Sequence, residues 1–412
     1  MYNILDFGAK NSELCTKSIQ AAIDTCHENG GGTVVIPNGI FVSGTIWLKS
    51  NVELHLEMGA VLKASENIDD YNAEDAYPQN YGVPVENWRG KHLIIAHECD
   101  NVAITGTGAI DGSGDAFFGE DRHFENPYCW EGGYVTSKDK EILRPGQCVC
   151  FIECQNVKVN DISVRNTPCW SIFIHGCEYV QVRGVKITNP YKFVNTDGLD
   201  IDCCRFVTVS DCIIKTGDDA IAIRCDSEKL KNPKPCEYIT VTNCVLSSNS
   251  SVFRFGVGTG EIRHVRISNL TVFKAGSFVS FCTSWAGIGN AKIEDVSISD
   301  VSANNILRMI TCKTEIGMVR KILFKDMAIN AKGGIFLMPK EKNTVSDITL
   351  RNVELTVSEK QWAPEKNLIN IVNTDNVTFE SVNVFCNEKE WEKILDSENN
   401  TRLSLKKCNF QS

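Results

Sequence analysis

The chain has 412 residues, and 42 Lys and Arg against 52 Asp and Glu leave a formal net charge of −10. A hydrophobic fraction of 42% and a charged fraction of 23% lie in the range of folded globular proteins and exclude a disordered chain. The acidic balance, with no run of Lys and Arg, argues against nucleic acid and membrane surfaces as partners, and no apolar stretch approaches the ~18 residues that span a bilayer.

Met1 through Gly8 carries no basic segment, apolar run or small-residue cleavage site of a secretory leader. The cytoplasm is therefore the expected compartment. The nineteen cysteines, an odd number, are expected as reduced thiols. Thr16 through Cys26 places Ile19, Ala22, Ile23 and Cys26 at helical spacing, with Thr16 as the N-cap. Gly30-Gly31-Gly32 stops this helix, and Thr33-Val34-Val35-Ile36 begins a strand.

From Asn101 onward one short pattern recurs: an opener, alternating apolar residues, then Asn, Asp or Gly before another apolar residue. Copies start at Asn156, Tyr179, Phe206, Tyr238, His264, Asp295, Lys321, Asp347 and Asn376, at spacings of 23 to 32 residues. The alternation is that of strands, and the spacing holds about three short strands with turns. A propeller blade needs more residues and hairpin-linked strands. No copy can bury its apolar face alone, so the copies stack, and the economical stack is a parallel β-helix. Cys99, Cys154, Cys177, Cys204 and Cys236 each lie two residues before an opener, so they read as small hydrophobes in an interior column. No Cys-x-x-Cys or Cys/His spacing of a zinc site is present.

The fold class is thus all-β, a single β-helical domain over residues 1–412, with an N-terminal cap of about 36 residues containing the helix. Residues 112–146 interrupt the repeat and carry Phe117, Phe118, Tyr128, Trp130 and Tyr134. A long aromatic insertion in a solenoid is expected to flank a ligand, here walling off one end of a cleft. Glu388 to Leu395 is expected as a short second helix.

The chemistry concentrates in two successive coils. Asn195-Thr196-Asp197-Gly198-Leu199-Asp200-Ile201 and Gly217-Asp218-Asp219-Ala220-Ile221-Ala222-Ile223 align so that Asp197 falls on Asp219, 22 residues later. Stacked coils put these carboxylates about one strand spacing apart, and a local turn aims Asp218 into the same cleft. Three like charges so close raise at least one pKa, which supplies a protonated acid beside an ionised carboxylate. Asp200 and Asp202 fit a turn-closing role better. A calcium site is the rival reading of such a cluster.

These motifs, with Leu5-Asp6-Phe7-Gly8-Ala9-Lys10, Gly108 through Gly114 and Arg144-Pro145, resemble glycoside hydrolase family 28, the polygalacturonase-like proteins, over nearly the whole chain. The resemblance implies a right-handed parallel β-helix of the pectin lyase-like kind and inverting hydrolysis without a cofactor or metal. Asp218 would be the acid on the glycosidic oxygen, and Asp197 and Asp219 would activate the attacking water. Inversion calls for acid and base about 6.5–9.5 Å apart.

Two departures bear on the substrate. Ser251 stands where the family's Gly-His-Gly places its His, and the family's Arg-x-Lys falls on Ser280-Phe281-Cys282. Arg254 shares the column of Ser280 one coil earlier and either replaces part of that charge or pairs with Asp200 or Asp226. Arg224 and Trp285 fall near the cleft, Trp285 either as a sugar-stacking platform or as packing. Asn195, Arg224, Ser251, Arg254 and Trp285 are thus the candidate substrate-binding residues. An exo-acting glycosidase is the expected activity, releasing a terminal galacturonate or a neutral sugar such as rhamnose or apiose from plant-derived oligosaccharides or glycosides. A calcium-dependent polysaccharide lyase and a non-catalytic carbohydrate-binding β-helix stay open as alternatives. No lateral face announces an assembly surface.

Overall fold

Every repeat opener adopts a left-handed backbone. In a computed structural model, which describes residues 1–72, 90–137, 144–285, 289–312, 314–342, 344–357, 365–387, 390–400 and 402–411, the ten openers from Asn101 to Asn376 have φ between +51° and +59°. The residue five positions on does the same, as at Asp161, Gly184, Asp211, Asn243 and Asn269. A left-handed residue turns the chain sharply between extended segments, and Asn and Asp tolerate it best. Tyr179, Phe206 and Tyr238 occupy that corner too. Their rings stack in a row that ends on His264, with centroids 5.0, 5.3 and 5.1 Å apart, and this contact offsets part of the backbone cost.

Between corners, alternate side chains point inward and meet their equivalents one coil away. Val102, Val157, Val180, Val207, Ile239, Val265, Val296, Ile322, Ile348 and Val377 form one such column by parallel pairing, and all are buried. The result is a right-handed parallel β-helix in which, among the described residues, 30 strands join into one wound sheet. Its first coil runs through Gly32–Trp47, earlier than the repeat pattern shows, with three strands paired in parallel to those of the next coil. Asn51, Asn101 and Asn156 are joined by side-chain amide hydrogen bonds of 2.9 and 3.2 Å. The cysteine column is present as expected: Cys154 N–H donates to the Cys177 sulfur at 3.3 Å, and Cys99 N–H to that of Cys154 at 3.4 Å. All nineteen cysteines are free, and all but Cys282 and Cys408 are buried.

The helix α1, Thr16–Glu28, buries Ile19, Ala22, Ile23 and Cys26 over the open end of the core. Its N-cap is Cys15 rather than Thr16. The Thr16 hydroxyl instead accepts from the Gly44 N–H at 2.8 Å, tying the helix to the coil beneath it. Of the expected second helix, Glu388 and Lys389 lie outside the described residues, Glu390 has 3-10 helical conformation, and residues 391–395 are not helical. Leu395–Asp396 pairs with Ile369 and Asn370 as one more strand, so the demand of the stack overrides local helical spacing.

The insertion forms an antiparallel hairpin, Phe118–Glu125 with Gly133–Ser137. It lies lengthwise along one flank. Phe118 stacks on Phe193 with centroids 4.0 Å apart, Trp130 N–H reaches the Asn249 carbonyl at 2.8 Å, and Arg308 lies 4.5 Å over the Tyr128 ring. Lys274 and Lys332 both face the Trp130 ring, at 5.8 and 5.1 Å. These anchors belong to successive coils, so the hairpin walls a side of the groove and not an end of it.

Candidate active site

The site is built on the outward face of neighbouring strands. Leu199 pairs with Ile221 and Ile221 with Phe253, which sets Asp197 beside Asp219 and Asp219 beside Ser251. Gly198 and Gly217 permit this close stacking: a Cβ on Gly198 would lie 2.4 Å from the Ala220 carbonyl oxygen, and one on Gly217 2.2 Å from that of Phe193. The Thr216 and Ser248 hydroxyls both donate to the Asp218 carbonyl, at 2.6 and 2.7 Å, and fix the turn that throws the Asp218 side chain outward.

Asp197, Asp218 and Asp219 each bring a carboxylate oxygen to within 4.8 Å of the other two. The expected meeting of the three is therefore found, but at closer range than the about 6.5–9.5 Å of inverting pairs. One rung of stacking and one residue of chain leave no more room. Asp218 accepts from Tyr134 Oη at 3.3 Å and from the Asn195 N–H at 3.2 Å. Asn195 itself is held left-handed at φ +51°, with its side-chain oxygen taking a bond from Arg144.

The cation of the site is Arg254. It bonds Asp219 through Nε to Oδ2 and through Nη2 to Oδ1, the latter at 3.2 Å, while the Ser251 N–H donates to Oδ1 at 3.0 Å. This corrects both expected pairings of Arg254, with Asp200 or with Asp226. Alternation explains the outcome: Arg254 shares the column of Ala222, whose small side chain leaves the guanidinium free to reach back to Asp219.

Burial dominates the electrostatics. It pushes the Asp197 carboxyl well above the usual range, helped by the charges of Asp200, Asp218 and Asp219 and opposed by Arg254. Asp200 is also pushed well up by burial, against the pull of Arg224 and with Asp219, Asp202 and Asp218 adding to the rise. Its two oxygens have no hydrogen-bond partner among the described residues. Asp200 and Asp202 lie within the strand Leu199–Asp202, fully buried, so neither closes a turn. Burial also raises the Asp202 carboxyl, but His175 and Arg224, with the Asp226 N–H, outweigh it and hold the group at about 2.

The other predicted residues divide. Ser251 is buried with its backbone on Asp219. Arg224 turns to Asp202, with Nε 3.4 Å from Oδ2, and lies 4.6 Å over the Trp170 ring. Trp285 is 47% exposed, which removes the core-packing reading, and its ring centroid lies 5.9 Å from the Arg254 guanidinium. Beyond Arg254 the same column continues with Ser280, which is partly exposed, and Thr311, whose hydroxyl oxygen is buried. Trp170 and His175 were not singled out from the sequence, and Tyr134 was read only as one aromatic of the ligand-flanking insertion, because nothing in local spacing links residues 134 and 218.

Two sets of described side chains have cation-like spacing: the three aspartates, and His97, Glu98 and Glu153 on the surface. At the aspartates a cation must compete with three N–H donors already on Asp219, which weakens the calcium reading of the cluster.

A family model described as glycosyl hydrolases family 28 matches residues 26–400. An endo-polygalacturonase of Pectobacterium carotovorum subsp. carotovorum is 25% identical over 85% of this chain and 86% of its own. A probable polygalacturonase of Vitis vinifera is 26% identical over 70% of this chain, which spans only 57% of that protein. The crystal structure of a hyperthermoactive exopolygalacturonase from Thermotoga maritima superposes with a TM-score of 0.65 at 22% identity, over 98% of this chain and 91% of the other.

Proposed function

The chain belongs to glycosyl hydrolases family 28, and from that premise we propose that it is an exo-acting, inverting glycosidase working at Asp197, Asp218 and Asp219. Asp218 is the acid that protonates the leaving glycosidic oxygen. Asp197 and Asp219 hold the attacking water on the opposite face of the sugar. Asp219, with Arg254 balancing its charge, accepts the water's proton, while Asp197, pushed toward its protonated form, orients that water. The observation that carries this reading is the convergence of three carboxylates, Asp197 and Asp219 buried and Asp218 half-buried, with the Arg254 guanidinium bonded to one of them.

The substrate we propose is a pectin-derived oligosaccharide or plant glycoside with a terminal galacturonate or neutral sugar. Arg254 and Arg224 are both committed to aspartates, and the column beyond Arg254 continues with the partly exposed Ser280. A groove of this kind offers hydroxyl contacts in place of the repeated cations that a long polyanion requires. The relatives' names include both endo- and exo-acting enzymes, and exo action here rests on that groove and on the exposed Trp285.

The short spacing of the carboxylates favours a second reading, in which one aspartate attacks the anomeric carbon directly and configuration is retained. Function is tested by incubating the protein with galacturonate oligosaccharides and with rhamnosides and apiosides, and following released sugar by NMR. Release by the wild type and its loss in Asp218→Asn is the expected result. A variant as active as the wild type overturns the assignment.

A further inference from the structure

The insertion that breaks the repeat converges on one carboxyl group. Tyr134, on the second strand of the hairpin, places its hydroxyl 3.3 Å from Asp218 Oδ1 across 84 residues of chain. Arg144, just after the insertion's undescribed stretch, bonds the side-chain oxygen of Asn195 and the carbonyl of Pro168, and its guanidinium lies 5.4 Å over the Phe118 ring. Asn195 in turn gives its N–H to Asp218 Oδ2 at 3.2 Å. Each oxygen of Asp218 thus meets a donor that traces back to the segment 112–146. The Tyr134 ring is itself fixed, 5% exposed and packed on Phe124 with centroids 5.2 Å apart.

We propose that the hairpin exists to position the acid of the reaction: Tyr134 is a positioning residue that orients Asp218 and sets the ease with which it gives up its proton. The inference rests on the hydrolytic reading above. A phenol suits the task because its hydroxyl donates to the ionised carboxylate and accepts from the protonated acid, so contact survives proton transfer. It also offsets the surroundings. Asp197 and Asp200 on the preceding coil and Asp219, the next residue, face Asp218 and disfavour its charge, with Arg254 opposing them, while Cys129 lies against Tyr134 on the hairpin. Burial, then Asp218, then Cys129 push the phenol well above its usual range, so it stays a hydroxyl throughout the working pH range. A donor on each oxygen favours the ionised form and aims the remaining lone pairs.

The test is a ¹³C-carboxyl NMR titration of Asp218 in the full chain, the resonance being assigned by its loss in Asp218→Asn. Tyr134→Phe keeps the ring and removes only the hydroxyl. Its Asp218 midpoint is expected to rise by about half a pH unit, as loss of one long donor to a charged group implies. 3-Fluorotyrosine at position 134, a stronger donor of nearly the same shape, is expected to move the midpoint down. A midpoint unchanged in both variants overturns the inference, because a hairpin that merely packs would leave it there. Asp218→Asn that still hydrolyses its glycoside overturns the underlying reading instead, and the two failures are told apart by which measurement produces them.

Discussion

Arg254 and Asp219 form a forked ion pair on the floor of the groove, one coil apart, with the Ser251 N–H as a third donor to the same carboxylate. Burial would strip charge from Arg254, but the guanidinium is held charged well above its usual range, chiefly by Asp219 once desolvation is overcome.

Arg254→Gln removes that balance and leaves Asp219 buried and unpaired. Stability is expected to fall by about 3 kcal/mol, the lower end for breaking a buried pair, since the guanidinium edge is partly exposed. Hydrolysis is expected to fall by about two orders of magnitude or more, with Arg254→Lys intermediate because it restores charge without the fork. Denaturant unfolding and initial rates on the same preparations check both. Unchanged rates would remove Arg254 from the machinery.

The Asp202 carboxyl sits at about 2 in the fold, below an unfolded value of about 3.9. Its contribution is present in full above that unfolded value and is lost as pH falls through the folded one. Urea midpoints should therefore drop steeply between about pH 4 and pH 2, and Asp202→Asn should flatten this limb while costing about 2 kcal/mol at neutral pH. A wild-type curve flat in that window contradicts the network with His175 and Arg224.

Asp200 has the opposite sign. Its folded value lies above the unfolded one, so it lowers stability progressively as pH rises through the carboxylate range and beyond. Asp200→Asn is expected to raise the melting temperature at pH 7 by about 2 °C and to change it little at pH 4. Equal shifts at both pH values would locate the effect in packing.

How much of this was legible beforehand follows from the range of the interactions. The repeat was visible because a corner that needs a left-handed residue recurs with Asn, Asp or Gly in it, and because a strand period of two survives at every copy. Stacking then placed Asp197 on Asp219 without any three-dimensional information. Arg254 was placed in the right column with the wrong partner, since register fixes a Cα and not the direction of a long side chain. Asp200 and Asp202 were mistaken for turn residues because Asp-rich segments near glycine look alike in strands and turns. Tyr134 was legible as an aromatic of a ligand-flanking insertion, but its contact with Asp218 was out of reach, since it depends on how the hairpin folds back over the flank. The far end of the expected second helix failed for a similar reason, a distant rung at Ile369 claiming Leu395 as strand.

Ser280 and Cys282 stand where the family places a basic pair. Ser280→Arg with Cys282→Lys is expected to shift preference toward galacturonate oligosaccharides by about tenfold over neutral glycosides, the size of one charge-assisted contact. Ratios of kcat/KM on the two substrate types check it. No change would mean that these positions do not face the bound sugar.

The central claim is that water, placed by Asp197 and Asp219, displaces a leaving group protonated by Asp218. The most direct measurement is the configuration of the first sugar released, read by proton NMR before mutarotation. An anomer opposite to that of the substrate is the predicted result, and release of the same anomer would contradict single displacement and assign one of the three aspartates as a nucleophile.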